Sequence, residues 1–196
     1  MNHFRLTTYL TSNTDADKEV TNQLLLHCRI KQVYKGEFLL RQGEKCHHTF
    51  FVESGLLRQF SIDEKGKEHI IQFAPENWWM SDRGSVFFNQ PSVYFIQALE
   101  NSKVFLLEET VILQLAKSNP SFLEFNHKLL HNHIRSLQKR ITQLQSASAQ
   151  ERYLDFITVY PDLVLRVPQI FIASYLGITP ESLSRVRREL SAKNKQ

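Results

Sequence analysis

Residues 169–190 read QIFIASYLGITPESLSRVRREL and carry the sharpest local pattern in the sequence. The pattern predicts a short helix over Gln169–Leu176 that ends at Gly177, because glycine is the usual residue just past a helix C-terminus. A second helix is predicted to begin at Thr179-Pro180, since threonine is a favoured N-cap and proline suits the first turn. Two helices joined by such a short turn form a helix-turn-helix.

The second helix is predicted to be amphipathic. Its apolar stripe consists of Leu183, Val186 and Leu190. The candidate DNA-contacting residues lie at its start and on its polar side, and they are Thr179, Glu181, Ser182, Ser184, Arg185, Arg187 and Arg188. A short, polar and basic exposed face is typical of a recognition helix in the major groove of DNA.

Arg185 is the candidate for reading a base, because an arginine can bond O6 and N7 of guanine together. Glu181 lies four residues earlier. It either accepts a hydrogen bond from cytosine and orients Arg185, or it forms only an ion pair along the helix surface. Arg187 and Arg188 are predicted to contact phosphates, which position a protein without specifying sequence.

Residues 121–146 are predicted to form one long helix with a heptad seam. The seam residues alternate in spacing between four and three, and they are Leu123, His127, Leu130, Ile134, Leu137, Ile141 and Leu144. β-branched residues in one register and leucines in the other favour a parallel two-stranded coiled coil. The pattern therefore predicts a homodimer, and the alternative is a single amphipathic helix packed on its own domain.

Two groups of residues that contain histidine are candidate metal-binding sites. His127 and His131 lie four residues apart on the long helix, a spacing able to hold a metal ion. A lone polar residue in a heptad seam more often fixes its register. Three adjacent residues, Cys46-His47-His48, rarely converge on one metal, so no metal site is expected.

Charge is unevenly divided along the 196 residues. Residues 1–125 hold 13 Lys and Arg against 15 Asp and Glu, whereas residues 126–196 hold 11 against five. The basic C-terminal part indicates either a polyanionic partner such as nucleic acid or a solvated basic tail. Apolar runs are too short for a membrane span, the N-terminus has no secretory signal pattern, and two isolated cysteines favour a reducing cytoplasm.

Short strands are predicted across residues 29–110. They cover Phe38–Leu40, Thr49–Val52, Leu56–Ile62, Glu68–Phe73, Val93–Ala98 and Lys103–Leu107, with a hairpin turn around Gly66. Closely spaced strands of this kind indicate an antiparallel sandwich or barrel. A helix over Asp15–Cys28 is predicted to precede them. The sequence lacks the nucleophile elbow, the P-loop, the dinucleotide fingerprint and the zinc-protease motif, so an enzyme is not expected.

Two stretches resemble the Crp/Fnr family of bacterial transcription regulators. Residues 39–60, LLRQGEKCHHTFFVESGLLRQF, resemble the first half of its β-roll, and residues 172–190, IASYLGITPESLSRVRREL, resemble its DNA-reading helices. The resemblance implies an α+β protein with three parts. These are a cyclic-nucleotide-binding-like antiparallel β-roll (a jelly roll) over residues 1–118, a dimerisation helix over 119–147 and a helix-turn-helix domain over 148–196. The closing wing is expected to be reduced, because only six residues follow Leu190.

The resemblance implies a homodimeric, sequence-specific regulator of transcription that binds double-stranded DNA in the cytoplasm, with RNA polymerase as a further partner. Cyclic-nucleotide binders of this superfamily carry a Gly-Glu pair and then an arginine for the cyclic phosphate. Here no such pair occurs in residues 78–94, and Ser92 stands at the arginine position. Cyclic AMP is therefore not the expected effector. Two cysteines are too few for the iron–sulfur cluster of the oxygen-sensing branch.

An unknown small-molecule effector remains one interpretation of the aromatic-rich region, and a filled core that binds nothing is the other. The candidate pocket residues are Trp79, Asp82, Arg83, Ser92, Tyr94, Ile134, Leu137 and Gln138. No other cofactor is expected. The alternative function is a small-molecule sensor that acts through protein partners and has a degenerate DNA-binding domain.

Overall fold

The computed structural model describes residues 5–13 and 18–193. The strands are β1 (Arg29–Val33), β2 (Phe38–Leu40), β3 (His48–Ser54), β4 (Leu57–Ile62), β5 (Glu68–Ala74), β6 (Trp79–Met80), β7 (Phe95–Ala98) and β8 (Ser102–Glu108). The helices are α1 (Arg5–Asn13), α2 (Lys18–His27), α3 (Arg83–Phe88), α4 (Glu109–Ser118), α5 (Pro120–Ser146), α6 (Ala149–Val159), α7 (Leu163–Arg166), α8 (Gln169–Leu176) and α9 (Pro180–Lys193).

The chain divides into two compact units. The first comprises residues 1–61 and 71–131, and the second comprises residues 62–70 and 132–196. The tip of the β4–β5 hairpin therefore belongs with the C-terminal helices, although its strands continue into a sheet of the first unit. The long helix α5 also contributes to both units.

Two four-stranded sheets form the β-roll, in the orders β1-β8-β3-β6 and β2-β7-β4-β5. Neighbouring strands are antiparallel, for example β3 and β8 with Phe51 opposite Phe105. A core between the sheets gathers side chains from both of them, and it includes Leu40, Phe50, Val52, Leu57, Met80, Ile96 and Val104. This arrangement confirms the predicted antiparallel β-roll and the α+β class.

Strand β3 of the first sheet is buried on both faces. Because side chains alternate along a strand, Phe50 and Val52 face the core between the sheets, whereas Phe51 packs under helices together with Leu6 and Leu24. A strand covered on both sides reads as a continuous apolar run rather than an alternating one, which explains the sequence of β3.

Glu53, the polar residue near the end of β3, is buried and caps a helix. Its carboxylate oxygens accept hydrogen bonds from the backbone N–H groups of Arg5 (2.7 Å) and Leu6 (3.1 Å). These are the first residues of α1, where N–H groups lack partners within the helix and a negative charge is favourable. Helix α1 is thus held on the sheet by a residue far along the chain, and the sequence did not predict it.

The predicted helices are confirmed with small shifts in their bounds. Helix α5 begins one residue before the predicted start, and α8 has the predicted bounds. Helix α2 is seen over Lys18–His27, and the start predicted at Asp15 lies outside the described residues. Strand β7 begins at Phe95 rather than at Val93, because the Ser92 hydroxyl bonds the backbone carbonyl and N–H of Tyr94 and so holds these residues in a bend.

Candidate nucleic-acid interface and effector region

The turn of the helix-turn-helix forms as predicted. Gly177 ends α8 in the left-handed conformation, with φ of 66°. A Cβ atom there would lie 3.1 Å from Leu144 Cδ2 and 3.3 Å from Arg152 Nη1. Both the backbone conformation and this close approach favour glycine. The N–H of Ile178 then bonds the carbonyl of Ala173 at 3.0 Å, so the path of the chain between the two helices is defined.

The start of α9 is capped as predicted. The hydroxyl of Thr179 accepts a hydrogen bond from the backbone N–H of Ser182 at 3.2 Å, which satisfies a donor that has no partner within the helix. Hydrogen bonds from its own backbone N–H and then from the Thr179 hydroxyl hold the pKa of Glu181 below its usual value. Glu181 is therefore an anionic acceptor at neutral pH.

Helix α9 has the two faces that the sequence predicts. Leu183 is fully buried at 0% exposure, Val186 is buried, and Leu190 is half-buried. The exposed candidate DNA-contacting residues are Thr179, Glu181, Ser184, Arg185 and Arg188, whereas Ser182 and Arg187 are half-buried. The polar side of the helix is thus open over its first three turns.

Glu181 and Arg185 do not form the ion pair that was one interpretation of their spacing. Within the described part of the chain, no carboxylate of Glu181 comes within ion-pair distance of the Arg185 guanidinium. The side chain of Glu181 turns instead toward the helix N-terminus and Thr179. Both charged groups are therefore available to outside partners.

The heptad seam of α5 is exposed in the single chain. Ile134 is 50% exposed and Ile141 is 55% exposed, and Leu123, Leu137, Leu144 and His127 are exposed as well, with Leu130 half-buried. The face of α5 that packs on its own unit carries Phe122 and Phe125 instead. An exposed apolar stripe of this length on a helix marks an interaction surface.

The segment in which effector residues were predicted contains a buried carboxylate, that of Asp82, whose oxygens bond other residues of the segment. Asp82 is the N-cap of α3, and one of its oxygens accepts from the backbone N–H of Ser85 at 3.2 Å. Its other oxygen accepts from the hydroxyl of Ser92 at 2.7 Å. The Ser85 hydroxyl in turn accepts from the N–H of Cys46 at 2.8 Å and donates to the carbonyl of Gln90. We call Cys46, Asp82, Ser85, Gln90 and Ser92 the Asp82 cluster.

Arg83 is engaged elsewhere. Its guanidinium forms two parallel hydrogen bonds, of 2.9 and 3.1 Å, with the carboxylate of Glu109 on α4. Such a paired fork is the strongest geometry for an arginine and a carboxylate. Arg83 was predicted from the sequence to contact an effector. In the structure it instead links α3 to α4 through its bonds with Glu109. Glu109, which the sequence did not single out, is its partner.

The remaining predicted pocket residues lie in different surroundings. Trp79 packs with Tyr9 and Phe51 on the helix-covered side of the first sheet, whereas the backbone N–H of Tyr94 donates to the hydroxyl of Ser92 at 3.0 Å. Tyr94 therefore adjoins the Asp82 cluster and Trp79 belongs to a different aromatic group. Ile134, Leu137 and Gln138 are exposed on α5 and belong to the second compact unit.

Two aromatic residues of the same region are on the surface. Phe87 and Phe88 are 60% and 71% exposed and pack edge to face against each other. Helix α3 ends just after them, where Asn89 takes the left-handed conformation with φ of 52°. Neither interpretation of the aromatic residues, as a cavity lining or as a filled core, fits this pair.

A buried cation that the sequence did not single out lies in the second sheet. The guanidinium of Arg58 donates to the side-chain oxygen of Gln97 at 2.9 and 2.6 Å, and it lies 4.0 Å above the ring of Phe60. Gln97 is held in turn by the carbonyl of Gly36. Arg58 is thus fixed within the sheet by its neighbours.

The two cysteines lie in different parts of the fold and do not form a set of metal ligands. Cys46 is buried in the core between the sheets, and Cys28 is half-buried after α2. Burial raises the pKa of Cys28 to about 12 and also raises that of Cys46. Among the residues that the structure describes, no three His, Cys, Asp or Glu side chains gather into a group able to hold a metal ion.

The helices in the described part of the chain lack the combination of length and apolar character that a membrane crossing requires.

Known proteins with similar sequences are regulators. Residues 30–119 match the family model described as Cyclic nucleotide-binding domain. Electron transport regulator A of Shewanella oneidensis is 28% identical over 169 residues, which cover 81% of this chain and 67% of that protein. Regulatory protein HlyX of Actinobacillus pleuropneumoniae is 27% identical over 170 residues, with 81% and 70% covered.

Solved structures share the fold over most of the chain. FixK2 from Bradyrhizobium japonicum matches with a TM-score of 0.74 and 18% identity, and the match covers 85% of this chain and 86% of that one. A putative transcriptional regulator of the Crp/Fnr family from Eubacterium rectale matches with a TM-score of 0.69 and 16% identity over 95% and 88%. The β-roll, the long helix and the helix-turn-helix occur here in the same order along one chain. The chain is therefore similar in sequence to bacterial regulatory proteins, and it shares its fold with solved structures that include a regulator of the Crp/Fnr family.

Proposed function

We propose that the protein is a sequence-specific DNA-binding regulator of transcription that acts in the cytoplasm. The observation that carries the proposal is the recognition helix. A fixed turn at Gly177 and a fully buried Leu183 present the exposed face of α9 with its carboxylate and arginines. The names of the similar proteins, a regulator of electron transport and a regulatory protein, support the same function.

Arg185 reads a base and Arg188 binds the DNA backbone. Arg185 is exposed in the middle of the face, four residues after Glu181, which places it where a recognition helix meets base edges. Glu181 is anionic, so it accepts a hydrogen bond from a cytosine amino group. Arg187 is half-buried, and Arg188 is exposed one turn further along the helix. These two positions suit contacts with phosphates.

The regulator acts as a homodimer through the heptad seam of α5. The seam is apolar and exposed in the single chain, and a second copy would cover it with its own seam. Two recognition helices would then enter successive major grooves about one helical turn apart, so the operator is an inverted repeat. RNA polymerase is a further partner of the DNA-bound dimer.

No cyclic nucleotide serves as the effector. The Asp82 cluster is closed by its own hydrogen bonds, and it contains a buried carboxylate rather than a cation. A desolvated phosphate requires a paired cation or a helix N-terminus. The nearby Arg83 is already paired with Glu109, and the N-terminus of α3 is already capped by the carboxylate of Asp82. Cys28 and Cys46 lie in different surroundings, and two such thiols do not supply the ligands of a cysteine-ligated cluster of the kind that senses oxygen.

Selection from random double-stranded DNA tests the function. The full chain is incubated with the pool at moderate salt, and bound sequences are amplified and read. We expect one inverted-repeat consensus and an affinity that falls steeply as salt rises, because phosphate contacts release counterions. If no sequence is enriched and binding is weak at every salt concentration, the proposal is wrong, and a sensor that acts through protein partners becomes the better interpretation.

A further inference from the structure

A serine hydroxyl joins the first helix of the helix-turn-helix to the hairpin tip. Ser174 on α8 donates to the backbone carbonyl of Glu68 at 2.9 Å and accepts from the backbone N–H of Ile70 at 3.0 Å. Both partners are main-chain groups of β5 near its start. One side chain thus acts as donor and acceptor for a strand more than 100 residues earlier in the sequence.

Arg140 of α5 also bonds both β5 and α8. Its Nη2 atom donates to the carbonyl of Ile70 at 2.9 Å and to the carbonyl of Tyr175 at 3.0 Å. The guanidinium carbon lies 3.8 Å above the centre of the Tyr175 ring, which adds a cation–π contact. Burial lowers the pKa of Arg140 from its usual value, and hydrogen bonds of a desolvated guanidinium are strong.

A second arginine bonds the same end of α8. Arg152 of α6 donates from Nη1 to the carbonyl of Leu176 at 2.8 Å. The last carbonyls of a helix have no partner within the helix, and cations are favourable beside them. The C-terminus of α8 is therefore held by side chains from α5 and α6, immediately before the Gly177 turn that leads to α9. We call Ile70, Arg140, Arg152, Ser174 and Tyr175 the α8 clasp.

We propose that Arg140 and Ser174 are positioning residues for DNA recognition, because they fix the orientation of α8, and through the Gly177 turn that of α9, relative to α5 and the hairpin tip. This inference rests on the proposed function. The clasp bonds lie at α8, whereas the groups offered to DNA lie on the exposed face of α9. The two residues act on recognition through the backbone they hold.

Specific and non-specific binding depend differently on such positioning. Reading a base requires side chains held at one angle to the groove, and a loosened helix must be ordered when it binds, which costs affinity. Non-specific binding relies on phosphate charges and tolerates many orientations. Loss of the clasp is therefore expected to lower the affinity for the selected operator while the affinity for mismatched DNA stays unchanged.

The test compares Ser174→Ala and Arg140→Lys with matched controls in the full chain. Ser174→Ala removes the hydroxyl, and Arg140→Lys keeps the charge but loses the planar fork. Ser146→Ala and Arg135→Lys are the controls, because both residues are exposed on α5 and their side chains bond only within that helix. Melting temperatures of all four variants establish that each protein is folded.

The first measurement needs no DNA. Hydrogen–deuterium exchange is followed in peptides covering residues 62–70 and α8. We expect exchange to be faster in the two clasp variants by roughly two- to tenfold, the factor that corresponds to one lost hydrogen bond, and unchanged in the controls. If exchange in both regions stays at the wild-type rate, the side-chain bonds do not hold these elements together and the proposal is wrong.

The second measurement uses the selected operator and a duplex with mismatched half-sites. We expect the operator affinity of the clasp variants to fall by roughly two- to tenfold and the mismatched affinity to stay within error of the wild type. Equal losses on both duplexes, or no loss on either, would overturn the positioning role even if exchange is faster. If the wild-type protein selects no operator, the proposed function itself fails, whereas the exchange result still decides whether the clasp exists.

Discussion

Ser92 donates a hydrogen bond of 2.7 Å to the buried carboxylate of Asp82, so a serine and an acid bond each other in the segment where the family resemblance implies an arginine for a phosphate. The same carboxylate caps α3 through the N–H of Ser85. This part of the chain satisfies its own polar groups, which gives it a structural role that is independent of any ligand.

Asp82→Ala is expected to destabilise the protein by about 2 kcal/mol, because the variant loses both the N-cap of α3 and the buried hydrogen bond from the Ser92 hydroxyl. Urea unfolding followed by circular dichroism measures the change. Asp162→Ala is the matched control, since Asp162 is also at an N-cap position, of α7, but its exposed side chain makes no capping bond. Equal effects from the two substitutions would contradict the role assigned to Asp82.

Arg185→Ala is expected to remove discrimination at one base pair of each half-site, at a cost of about 1–3 kcal/mol on the selected operator. Fluorescence anisotropy with the operator and with a duplex changed at that base pair measures the two affinities. Arg188→Ala is the comparison, because a phosphate contact contributes equally on both duplexes, so its loss lowers both affinities equally and reduces their salt dependence. A parallel loss on both duplexes in Arg185→Ala would show that this residue does not read a base.

Ile134→Glu is expected to convert the protein to a monomer, because the substitution places a charge in the apolar seam of each protomer and burying an unpaired charge is costly. Sedimentation velocity measures the mass in solution. Arg135→Glu introduces the same acid at the next position, which lies off the seam, and this control is expected to remain dimeric. Monomeric wild-type protein would remove the basis for a two-fold operator.

The two thiols are expected to react slowly with iodoacetamide at pH 8 in the native protein and rapidly in urea. The pKa of Cys28 is raised to about 12 by burial, so almost none of it is thiolate, the reactive form, at that pH. The sign for stability follows from the same shift. Above pH 9, the ordinary pKa of this thiol, the unfolded chain releases the proton first, so stability falls as the pH rises toward 12. Native thiols that react at the unfolded rate would contradict this.

Patterns with local causes were predictable from the sequence. Gly177 and the Thr179 cap produced the predicted turn, because a positive φ and a capping hydroxyl depend on the residue itself. The long helix α5 was also predictable, because its heptad spacing lies within one continuous segment of the sequence. The strand pattern indicated the β-roll, although β1 and the short β6 were not predicted as separate strands.

Features that depend on distant residues were not predictable. Helix α1 is capped by Glu53, and the pairing of Arg83 with Glu109 joins residues whose spacing in the sequence carries no signal. Helix α6 had a local signal that was overlooked, because Ser148 and Glu151 form a capping box with the usual three-residue separation. The α8 clasp joins β5, α5, α6 and α8, and a one-dimensional pattern does not show which backbone groups a side chain meets.

The hairpin tip has a consequence for attempts to divide the protein into pieces. Residues 62–70 belong to the same compact unit as residues 132–196, so no single cut in the polypeptide separates the two units. A recombinant fragment that begins at Asn132 would lack the carbonyl and N–H groups of Glu68 and Ile70 that Ser174 and Arg140 bond. A DNA-binding fragment that keeps these bonds would need the hairpin grafted back, as a linked or circularly permuted chain.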